Sequence, residues 1–206
     1  MANTQRLLDY LMVAPPGLPM EETNKTSNMT NDQYNWRQIN SVGQWSEFTY
    51  THIMQLYGTL LQQVQIENES MLNSPPQFIN TELMFAHLAP QLANLHLTPI
   101  TVDIGDAAQI INNFHSDITF FQASSTLNSS PNRCPEDLKV SWKWGSDWAA
   151  VKSQIDHMEY LQVLSQINFY MKQHNTQLNA NGNLLVAQAI PWEAEGPGRL
   201  TVLLRL

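Results

Sequence analysis

Apolar positions along this chain recur at helical spacing in five stretches and at strand-like spacing in several shorter ones. Leu7, Leu8, Leu11 and Met12 share one face of a helix predicted over 4–13, and the run Pro15-Pro16-Gly17-Leu18-Pro19 stops it. Met20 to Asn35 is polar and reads as an extended arm or ordered loop. Ile53, Leu56, Tyr57, Leu60, Leu61 and Val64 follow the i, i+3, i+4, i+7 rule, so an amphipathic helix is predicted within 47–69. Pro75-Pro76 close that region. A short helix is expected over 81–89, capped by Asn80 or Thr81 and ended by Pro90. The proline in Leu95 to Val102 marks that stretch as an edge strand or an extended connector.

Farther along, Ala107, Ile110, Ile111, Phe114, Ile118 and Phe121 predict a helix from Asp106 to about Ala123. A Ser/Asn/Pro loop follows. Leu138, Val140, Trp142 and Trp144 then alternate with Lys139, Ser141 and Lys143, the period of a half-buried strand. The strongest helical signal starts at a Ser146 or Asp147 cap and runs to about His174. Its inner stripe is Trp148, Val151, Ile155, Met158, Leu161, Leu164, Ile167 and Met171. Leu184–Ile190 and Leu200–Leu206 are strand-like and can pair as a hairpin across the loop from Pro191 to Gly198. The expected fold is α+β and predominantly helical, with a few strands concentrated in the C-terminal third. It reads as a single domain over 1–206, in which a short N-terminal helix and an extended polar arm (about 14–46) precede the main body.

Composition changes the picture in one respect, the character of the surface. Charged residues make up 14% of the 206, while 19 Asn and 18 Gln fill 37 positions. Such a surface is polar but nearly uncharged, and so less protected against contact with other copies by mutual repulsion. The formal net charge is −8, and the ten Lys and Arg are scattered without forming an arm or stripe. Clustered cations supply most nucleic-acid affinity, so binding to nucleic acid is expected to be weak or indirect at most. Lys139, Trp142, Lys143 and Trp144 come nearest to a basic aromatic face. The apolar stretch Leu7–Ala14 is short and interrupted by Asp9, so no membrane span or signal segment is expected, and the compartment reads as intracellular. Cys134 is the one cysteine in the chain, and four Asn-x-Ser/Thr patterns (Asn24, Asn28, Asn68 and Asn128) read as coincidence in so amide-rich a chain.

Candidate chemistry is thin. The phosphate-cradling glycine loop, Gly-x-Ser-x-Gly, His-Glu-x-x-His and paired Cys-x-x-Cys are missing from the sequence. Asp103, Asp106, His115 and Asp117 form a loose group, in which Asp103 and Asp106 serve most simply as helix caps. Asp156, His157 and Glu159 read as a solvated acidic face. Cys134 would need a lowered pKa, which Arg133 could supply, and a His partner in space to act as a nucleophile. No catalytic, cofactor-binding or metal residue is therefore assigned, and no enzyme activity or cofactor is expected.

Aromatic residues carry the remaining signal. Three of the six tryptophans fall within seven residues, and Trp is enriched at interface hot spots. Trp142, Trp144 and Trp148, with Leu200, Val202 and Leu204 of the C-terminal strand, are the candidate interface residues. The expected role is a self-assembling structural protein, such as a viral coat subunit without a basic nucleic-acid-binding arm, partnered with other copies of itself. A small intracellular adaptor or regulatory protein is the alternative, and an enzyme with a non-standard Asp/His site comes behind it. The expected location is intracellular, and the virion for a coat subunit.

Overall fold

The computed structural model describes residues 4–12, 27–28, 30–43, 49–67, 100–137, 139, 143–150, 153–176, 185–187 and 202–204. Strand β1 (Thr4–Arg6) runs straight into helix α1 (Leu7–Leu11). Helix α2 (Tyr50–Gln63) leads into β2 (Gln65–Glu67), which returns antiparallel to β1 with Gln5 opposite Ile66. The Leu7 amide donates to the Val64 carbonyl at 2.9 Å, tying the start of α1 to the end of α2. Thr49 caps α2 by accepting from the His52 amide. Arg6 Nε and Nη2 both bond the Asp9 carboxylate, at 2.6 and 2.8 Å. The helix expected over 4–13 therefore begins as a strand, because the first three residues find a partner in β2 instead of a helical turn.

Strands β3 (Ile100–Ile104) and β4 (Ile118–Gln122) form a second antiparallel pair, with Val102 opposite Phe120. This overturns the helix expected from Asp106 to Ala123. Asn112 and Asn113 both adopt left-handed backbone (φ 53° and 61°), which breaks a helix but suits the tight turn between Ile111 and Phe114. β-branched and aromatic residues at Ile118, Thr119, Phe120 and Phe121 then favour an extended ladder. The far side of β4 is covered by the returning loop. Arg133 N donates to Phe120 O, and Glu136 exchanges backbone bonds with Ile118.

The longest element is α3 (Gln154–His174), capped by Ser153, whose Oγ accepts from the Asp156 amide. Asp156 in the first turn and Lys172 in the last complement the helix dipole, and Asn175 ends it in the left-handed conformation at φ 52°. The helix starts seven or eight residues after the cap expected at Asp147 or Ser146, where the chain instead forms a 3-10 turn over Ser146–Ala150. Its burial also differs from the expected stripe. Ile155 is exposed, whereas every residue from Tyr160 to Asn168 is buried, Gln162, Ser165, Gln166 and Asn168 included. A helix enclosed on all sides must satisfy its polar groups internally. Ile39, Trp144, Tyr160, Leu164, Ile167 and Tyr170 make the main core around it. Tyr34, Phe114 and Phe169 add an aromatic cluster, with Phe114 and Phe169 edge to face at 5.0 Å.

Strands β5 (Leu185–Ala187) and β6 (Val202–Leu204) pair antiparallel, with Leu185 opposite Leu204. Four of the six strands among the described residues nevertheless lie before residue 123. The expectation of a predominantly helical α+β chain with strands concentrated C-terminally is therefore overturned: among the described residues, three small antiparallel pairs are distributed between three α-helices. Lys139, Lys143 and Trp144 stand outside any strand, and Leu138, Val140, Ser141 and Trp142 lie outside the described residues. The same holds for the helix expected over 81–89, most of the arm from residue 14 to 30, and 95–99 of the expected edge strand. Among the described residues no helix is long and apolar enough to cross a membrane.

Candidate interaction surface

Several of the polar groups singled out in the sequence are occupied in holding the fold. Asp103 Oδ1 accepts from the adjacent Ile104 amide at 2.7 Å, and Asp106 is exposed in the 3-10 turn that follows β3. Asp117 joins the ladder through its backbone, accepting from Gly105 N and donating to Glu136 O. His115 is exposed, with Nδ1 3.4 Å from the carbonyl of Ser116. Among the described residues no three His, Cys, Asp or Glu side chains come together as a set able to hold a metal ion. On α3 the acidic face is not simply solvated, since Glu159 Oε2 accepts from the Asn28 amide at 2.7 Å and docks that residue.

Around Cys134 the electrostatics run opposite to what Arg133 suggested. Burial and the nearby Glu136 push the thiol up to about 11, so it is held protonated. Burial also lifts the Glu136 carboxyl to about 7. Asn132, fully buried, organises this loop. Its Oδ1 accepts from the Phe120 and Cys134 amides, and its Nδ2 donates to Ser116 Oγ at 2.8 Å. Its own amide donates to His174 Nδ1 at 3.2 Å, which places the imidazole proton on Nε2, and burial lowers the pKa of that ring.

Lys139 is not available to a phosphate backbone. Its ammonium lies 2.5 Å from Asp137 Oδ2, with the two side chains only 10% and 4% exposed. Gln166 Nε2 bridges Asp137 Oδ1 and the Tyr170 hydroxyl. One of the two lysines of the basic aromatic face is thereby held in a buried ion pair.

The tryptophans divide in the same way. Trp144 is buried, stacks on Tyr160 at 5.6 Å and donates from Nε1 to the Tyr160 carbonyl. Both its ring face and its N–H are engaged within the chain. Trp148 is half-buried against the same core, and Trp142 lies outside the described residues. Val202 and Leu204 stand in β6, while Leu200 lies outside the described residues.

The feature missed in the sequence is on α2. Tyr50, Leu56, Tyr57 and Leu60 are each between 54% and 61% exposed, although they belong to the apolar periodicity that predicted the helix. Met54, Gly58 and Leu61 turn toward the rest of the chain instead. At about 100° per residue, positions 50, 53, 56, 57 and 60 span an arc of about 120°. No residue from Tyr50 to Gln63 is acidic, lysine or arginine. That missing charge was the readable signal: a helix made to face solvent ordinarily carries ions on its outer side. No protein family, curated protein or solved structure matches the chain.

Proposed function

We propose that this protein is a non-enzymatic structural subunit that assembles with copies of itself, of the type that builds the shell of a virus particle. The observation that carries the reading is the exposed, charge-free apolar arc of α2. A soluble chain that leaves a contiguous apolar patch of this kind on a regular element ordinarily covers it with a partner. Two further features support it. Amide-rich composition lowers the repulsion between copies, and burial holds the Cys134 thiol, the one candidate nucleophile, protonated. With Lys139 paired to Asp137, a shell of this protein would touch its genome weakly. The proposed location is inside the producing cell and then in the particle.

Sedimentation of the purified chain over a wide concentration range tests the reading. A discrete oligomer or particle is expected. A strict monomer at the highest concentration would overturn it and favour an adaptor that offers α2 to a different protein.

A further inference from the structure

Resting on that self-assembly reading, we infer that α2 of one copy packs antiparallel against α2 of a second copy across a two-fold axis, making a dimeric building block. Charge selects the occupant. A lipid surface is met by helices with Lys or Arg on the polar face, and α2 has neither, in a chain of net charge −8. A heterologous helix is usually chosen by ions on the rim of the contact, and α2 supplies none. An identical, equally uncharged arc matches it without repulsion, and in a chain that is negative overall this helix is where two copies approach at least electrostatic cost.

Area supports the same occupant. With aromatic side chains of about 150–250 Å², the four exposed residues present roughly 400–500 Å² per copy. Two copies then bury close to the ~1,000 Å² that marks a specific interface. The exposed polar residues Thr59 and Gln63 border the arc and supply the rim that carries it past that value. Antiparallel packing also sets the positive end of each helix dipole beside the negative end of the other.

The middle of the arc lies between Leu56 and Tyr57, which fixes the register. Leu56 meets Tyr57 of the partner helix, and Ile53 meets Leu60. Residue 56 of each copy then lies almost on the axis, within the 8–10 Å typical of packed helix axes. Residues 50 of the two copies stand about 20 Å apart, at 1.5 Å per residue.

Single-cysteine variants in a Cys134→Ser background test this directly, using a bismaleimide linker of about 8 Å and sedimentation of each variant. Leu56→Cys should cross-link to itself in high yield, and Tyr50→Cys at less than about a tenth of that yield. Leu56→Asp should weaken association at least ~100-fold with an unchanged circular dichroism spectrum, since residue 56 is exposed in the single chain. Equal linking of Tyr50→Cys would mean parallel helices and overturn the inference. A stable oligomer in which neither variant links, or which Leu56→Asp leaves intact, would overturn the α2 pairing while self-assembly stands. A monomeric unmodified chain would overturn both.

Discussion

At the scale of single residues, two glycines in similar burial have opposite reasons to be glycine. A Cβ on Gly105 would lie 1.5 Å from the Ser116 carbonyl oxygen and 3.0 Å from His115 Nδ1. The obstacle is backbone, in a ladder that also bonds Gly105 N to Asp117 O. Gly105→Ala is expected to cost more than about 4 kcal/mol or to prevent folding. At Gly58 the neighbour is the Met54 methyl at 3.0 Å, the far end of a flexible side chain. Gly58→Ala removes a helix-interior glycine and is expected to be neutral or to add up to about 1 kcal/mol. Denaturant midpoints of the two variants, of which only that of Gly105→Ala should fall, check the contrast. Asn132 is the second sensitive residue. Asn132→Ala strands the Phe120 and Cys134 amides and takes away the donor to Ser116 Oγ, and should cost about 2–4 kcal/mol by urea unfolding. Nothing local in the sequence distinguishes Asn132 from eighteen other asparagines. Its importance comes from the return of the 132–136 loop along β4, a contact between segments that residue spacing does not encode.

At the scale of elements, α3 shows how far local signals reach. Its cap, charged ends and terminal Asn175 are all local features, and its C-terminal end at His174 was legible in the sequence. Ser153→Ala should lower stability by about 1 kcal/mol through the lost bond to the Asp156 amide, measured by thermal or urea denaturation. An unchanged midpoint would place the effective cap elsewhere. The segment 106–123 shows the limit. Its apolar residues satisfy a helical period, yet Asn112 and Asn113 turn the chain back and the strand that follows pairs with β3. Short apolar runs carry both periods, and pairing with a distant strand decides between them. On α2 the period correctly placed a helix, whereas which side of it met the chain depended on α1 and β1.

For the whole molecule, stability integrates groups whose protonation differs between folded and unfolded chains. Glu136 has a folded pKa near 7 against an ordinary 4.5, so between those values the folded chain keeps a proton the unfolded chain has released. Stability from this group is therefore full below pH 4.5 and is lost as pH rises to about 7. The loss is at most about 3 kcal/mol, at about 1.4 kcal/mol per pH unit. Glu136→Gln should remove that slope and leave the variant more stable than the parent above pH 7. His174 acts in the opposite direction. Its folded pKa is lowered from 6.5, so stability is lost as pH falls below 6.5, when the ring gains a proton and Nδ1 can no longer accept from Asn132. Urea midpoints measured across pH for the parent and the Glu136→Gln chain check both arms; coincident curves would remove Glu136 from the account.

By itself the sequence determined an amide-rich, weakly charged surface, helices in the regions of α2 and α3, and the apolar C-terminal segments that meet as β5 and β6. These follow from composition and short-range periodicity, which act within a few residues. Tertiary structure decided that 106–123 is a turn and a strand, that Lys139 is held by Asp137 in the interior, and that Trp144 belongs to the core. It also decided which apolar side of α2 is left exposed. Lys139 and Asp137 are only two residues apart, but Gln166, which bonds Asp137, is distant, as are the partners behind the other decisions; the free energy that selects them exists only once the two surfaces have met.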